Sequence, residues 1–92
     1  MATILHVDDD KMWREIVAEQ LEWAGHRVVS FFSLPQAKQA YQAGGFDLVV
    51  CDGSVHSDGD GQAWAESLYA QGQRTVIVSG RAETQVPLVP KA

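Results

Sequence analysis

With 92 residues the chain has room for one small domain, and a hydrophobic share of 46% is enough for a single core. A formal charge of -5 offers nothing to a phosphate backbone or an anionic membrane surface, so direct nucleic-acid or membrane binding is not expected. The single cysteine, Cys51, excludes an internal disulfide and suits a reduced, cytoplasmic protein, and no apolar run approaches the roughly 20 residues of a membrane helix.

The first element is a short apolar run, Thr3 to Val7, that reads as a buried strand and ends in Asp8, Asp9 and Asp10. Because acids follow so soon and no basic region precedes it, the run is not read as a signal peptide. Asp10 is placed to cap a helix in which Trp13, Ile16, Val17, Leu21 and Ala24 fall at helical spacing, with Gly25 as its stop. Arg27 to Phe31 reads as a second strand. Ser33 then caps a helix carrying Leu34, Ala37, Ala40 and Tyr41 and ending at Gly44-Gly45, with Pro35 in its first turn.

Asp47 to Cys51 is apolar on both faces, as a central parallel strand should be, and Asp52 closes it. The glycines and small polar residues of 53–61 make a loop able to approach a ligand closely. Gln62 to Gln71 is expected to be a third helix and Thr75 to Val78 a fourth strand ending in Ser79-Gly80. Two prolines in Val86 to Pro90 restrict that stretch to a short edge strand or an extended tail.

Acids at the ends of two strands converge only if those strands are parallel neighbours, and the resulting pocket holds like charges that a cation must offset. Hard oxygen ligands of this kind suit Mg²⁺. At this point the residues resemble the receiver domain of two-component response regulators. Ile4 to Asp10 is similar to that family's first strand and acid pair, and Phe46 to Asp52 to its third strand and phosphorylated aspartate, 43 residues beyond Asp9. Val76-Ile77-Val78-Ser79-Gly80 is similar to the fourth strand with its hydroxyl residue, and Lys91 matches the lysine that ends strand five.

The resemblance implies a flavodoxin-like (CheY-like) α/β fold with a parallel sheet in the order 2-1-3-4(-5), forming a single minimal receiver over residues 1–92. It implies that Asp8, Asp9, Asp52 and the carbonyl of Ser54 serve a Mg²⁺ site and that Asp52 accepts a phosphoryl group from a histidine kinase or phosphotransfer protein. Ser79 and Lys91 would contact the phosphoryl oxygens. The departures are equally specific. His56 stands where the family usually has proline, and Leu88 replaces the aromatic residue that reports phosphorylation. The short interval from Ser79 to Lys91 leaves no room for helix four, and helix five is absent.

Without that cover, strand four is expected to expose apolar surface and an open edge, to be buried in a homodimer through strand four and the C-terminal tail. The alternative is a non-catalytic receiver-like module that sequesters a kinase or regulator. A third reading, a phosphatase of the haloacid-dehalogenase type with Asp8-x-Asp10 as its motif, is disfavoured because Met12 stands where a Thr or Val is required. His6, Cys51, Trp13 and Trp64 are read as packing residues, and His56 with Asp58 and Asp60 as a solvated loop.

Overall fold

The computed structural model describes residues 1–42, 44–52, 60–79 and 88–90. Its elements run β1 (Thr3–Val7), α1 (Lys11–Trp23), β2 (Arg27–Phe31), α2 (Leu34–Ala40), β3 (Leu48–Asp52), α3 (Asp60–Ala70), β4 (Thr75–Ser79) and β5 (Leu88–Pro90). The five strands form one parallel sheet in the order β2-β1-β3-β4-β5. This is the doubly wound order expected from the sequence, with the sense of winding across the sheet reversing between β1 and β3.

The helix caps follow from local chemistry. Asp10 has extended backbone, and its carboxylate accepts from the N–H groups of Met12 (3.0 Å) and Trp13 (3.2 Å), which would otherwise lack partners in the first turn of α1. At the other end Gly25 takes φ +93°, the left-handed turn that lets its N–H reach the carbonyl of Glu22 at 2.9 Å. Ser33 caps α2 through Gln36 N–H at 3.3 Å.

Several boundaries differ from the sequence reading, those of α2, β3 and α3 among them. α2 ends at Ala40, and Tyr41 turns out into extended backbone. The reason is tertiary: its ring packs edge-on to Trp64 and stacks with Phe46, and its hydroxyl donates to Gln73 Oε1 at 2.9 Å. β3 begins at Leu48, because the Asp47 side chain accepts from Thr3 N–H at 2.7 Å. α3 begins two residues early, at Asp60.

Alternation along the strands sorts side chains onto two faces. Leu5, Val7, Val49, Cys51 and Ile77 join Leu34 and Ala37 of α2 and Ala65 and Leu68 of α3 in the larger core. On the opposite face, under α1, the buried apolar residues among those described are Ile4, Val50 and Val78, with Val17, Leu21, Val28 and Leu48 partly covered. β4 does not keep an open edge over its whole length, because Ile77, Val78 and Ser79 pair with Leu88, Val89 and Pro90. The short strand ending in proline takes the edge instead. Segment 80–87, where helix four would have to fit, lies outside the described residues. Among the described residues no helix is long and apolar enough to cross a membrane.

Candidate functional site

Pairing register builds the site. Val7 is opposite Cys51, so the next residues, Asp8 and Asp52, leave the carboxyl edges of adjacent strands together. Asp9 follows before the chain turns into α1. Each of Asp8, Asp9 and Asp52 offers a carboxylate oxygen, and these oxygens lie within 4.8 Å of one another. Asp8 and Asp52 are 1% and 2% exposed, whereas Asp9 faces solvent. Asp52, 43 residues beyond Asp9 in the chain, therefore meets Asp8 and Asp9 at one point.

The turn that holds them is stiff. Asp8 Oδ1 accepts from Asp10 N–H at 2.9 Å, and Asp8 N–H donates to the carbonyl of Phe31 at 3.0 Å. Arg14, one turn into α1, folds back to donate from its guanidinium to the Asp8 carbonyl at 3.0 Å, with the guanidinium 5.9 Å from the centre of the Phe32 ring. Arg14 has no part in the sequence reading, although its place one turn after the capping Asp10 is the available signal.

Beneath the carboxylates lie two buried titratable groups. Burial, then the Arg14 guanidinium, push the His6 imidazole down to about 4, against the opposing pull of Asp52. His6 is therefore neutral near pH 7, with Nδ1 3.5 Å from Ser30 Oγ. Burial, then the Asp52 and Asp8 carboxylates, push the Cys51 thiol up to about 12, outweighing Lys38. A neutral thiol is a poor nucleophile, so Cys51 is a packing residue, as its composition context implied.

The donor set fits a hard divalent cation. Ligands about 2.1 Å from Mg²⁺ stand no more than about 4.2 Å apart across the ion, close to the spread of the three carboxylates. Of the remaining residues proposed from sequence, Ser79 ends β4, one residue beyond Val78, which is opposite Asp52. Ser54 and Lys91 lie outside the described residues.

No family model and no curated protein matches the sequence. Solved structures do match. The receiver domain of HemR from Leptospira biflexa, in its non-phosphorylated form, superposes with a TM-score of 0.84 at 27% identity, over 99% of this chain and 82% of that one. The fold is that of a response regulator receiver domain. The response regulator TrrA from Thermotoga maritima, solved in complex with Mg(2+)-BeF, gives a TM-score of 0.83 at 20% identity over 100% of this chain and 88% of its own. The chemotaxis protein CheY4 of Vibrio cholerae gives 0.78 at 20% identity, over 99% and 87%. The chain spans 82%, 88% and 87% of these three structures in turn.

Proposed function

We propose that the chain is a receiver module in which Asp52 accepts a phosphoryl group from a histidine kinase or phosphotransfer protein. The observation that carries this reading is the meeting of Asp8, Asp9 and Asp52 at the carboxyl edge of β1 and β3. Asp8, Asp9 and Asp52 would hold Mg²⁺, with the Ser54 carbonyl as a further oxygen. The ion, when bound, neutralises charge on the transferring phosphoryl oxygens and lets an anionic nucleophile approach them. The Mg(2+)-BeF complex of TrrA supports that choice of cation.

In the transfer itself an Asp52 carboxylate oxygen forms a bond to phosphorus as the bond to the donor's imidazole nitrogen breaks, and the imidazole leaves with its electron pair. Ser79 would donate a hydrogen bond to one phosphoryl oxygen, and Lys91 would pair with another. Arg14 and Asp10 hold the β1–α1 turn, and so the Asp8 and Asp9 carboxylates, in place before the donor arrives. The acyl phosphate formed on Asp52 is open to water, so the mark decays and works as a timed signal. Output would pass through protein contacts, including a homodimer involving strand four and the C-terminal tail.

Incubation with a small acyl phosphate and Mg²⁺ tests the reading. The intact mass should rise by one phosphoryl group, and a chelator should prevent the rise. An unchanged mass would favour the alternative, a receiver-like module that binds a kinase or regulator without accepting phosphoryl.

A further inference from the structure

Arg14 belongs to the turn where the acids gather, yet its hydrogen bond goes to a main-chain carbonyl. Asp10 stands four residues before it, the spacing at which an acid and an arginine pair along a helix. Asp8 and Asp9 precede it in the same turn, their carboxylate oxygens within 4.8 Å of each other and of one from Asp52. The guanidinium instead donates to the Asp8 carbonyl oxygen at 3.0 Å, and its Cζ lies 5.9 Å from the centre of the Phe32 ring.

Phe32 reaches that place for local reasons. Phe31, the last residue of β2, packs against the larger core, and its carbonyl accepts from Asp8 N–H at 3.0 Å. The chain therefore leaves β2 beside the acid turn, and the next side chain, Phe32, meets Arg14 while staying 56% exposed. A ring so exposed adds little to the core. What it does offer is a negative face, on which a guanidinium settles when it comes within about 6 Å.

We propose that Phe32 is a positioning residue of the acid pocket: its ring holds Arg14 on the Asp8 carbonyl and keeps the guanidinium from competing with a divalent cation for the carboxylates of Asp8 and Asp9. A guanidinium swung onto those acids would grip them through two parallel N–H donors and supply part of the positive charge that the ion brings. The ion would then have to displace it. The same swing would release the Asp8 carbonyl and slacken the β1–α1 turn, so both consequences weaken Mg²⁺ binding. This inference rests on the reading above that the acids serve a Mg²⁺-assisted transfer, and it adds the residue that keeps the pocket dependent on the ion.

Calorimetric titration of the full chain with Mg²⁺, beside urea unfolding in chelator, tests it. Phe32→Leu, which stays apolar but loses the ring, should weaken Mg²⁺ binding roughly three- to fivefold. Its urea midpoint without the ion should match that of the wild type, because the side chain changed is an exposed one. Phe32→Tyr, which keeps the ring, should bind Mg²⁺ as the wild type does. In an Arg14→Met background Phe32→Leu should leave the affinity unchanged, since the cation that the ring restrains is gone. Full affinity in Phe32→Leu, an equal loss with and without Arg14, a loss in Phe32→Tyr as large as in Phe32→Leu, or a urea midpoint that falls with the affinity overturns the assignment and leaves the Mg²⁺ site standing. A wild-type chain that does not bind Mg²⁺ overturns the reading beneath it as well, so the two failures are separable.

Discussion

The two faces of the sheet are built from similar residues and finished to different degrees. Under α2 and α3, nine side chains are buried and four aromatic residues close the margin. Under α1 the buried apolar residues among those described are three, with His6 buried beside them, and no residue of α1 itself is fully covered. Burial of apolar surface contributes roughly 25 cal/mol per Å², so among the described residues the first face carries more of the stability. The difference arises from alternation along β3 and β4, which sends one set of side chains to each face.

That asymmetry is open to a direct challenge by truncation at matched positions. Leu5→Ala, on the finished face, should destabilise the fold by about 3 kcal/mol, read as a shifted urea midpoint with an unchanged slope. Val76→Ala, on the face under α1 and only half-buried, should cost less than about 1 kcal/mol. Equal losses at the two positions would remove the distinction between the two faces.

Between these extremes lies His6, which sits on the α1 side of β1. Its folded value of about 4 is below the unfolded 6.5, so the unfolded chain binds more protons in that interval and stability falls as pH drops. The loss from this group between pH 7 and pH 5 should be about 2 kcal/mol. His6→Gln should flatten the stability profile in that window; a profile as steep as the wild type's would assign the pH dependence elsewhere. Asp10→Ala, which removes the α1 cap but none of the proposed Mg²⁺ ligands, should cost about 1 kcal/mol. The main-chain N–H that position 10 donates to Asp8 Oδ1 survives the change, so Mg²⁺ affinity by calorimetry should stay close to that of the wild type.

The strands and the acid pocket were legible in the sequence because both rest on short-range signals. Apolar runs bounded by Asp8 and Asp52 define β1 and β3, and Asp10 and Gly25 bracket α1 to within a residue. The end of α2 was not legible, since Tyr41 leaves the helix for contacts with Phe46, Trp64 and Gln73 that lie elsewhere in the chain. For the same reason the depressed value of His6 and the return of Arg14 onto Asp8 emerge only from packing. The short edge strand allowed by the two prolines of Val86 to Pro90 is there as β5, and its pairing with Ile77 to Ser79 covers part of the β4 edge that was expected to stay open.

The account turns on Asp52 as the residue that is marked. Peptide mapping of the chain after treatment with Mg²⁺ and a small acyl phosphate, run beside Asp52→Asn, measures this most directly. A phosphoryl group on Asp52 in the wild type and none anywhere in the variant is the predicted result. A phosphoryl group on Asp8, or undiminished labelling of Asp52→Asn, would contradict it.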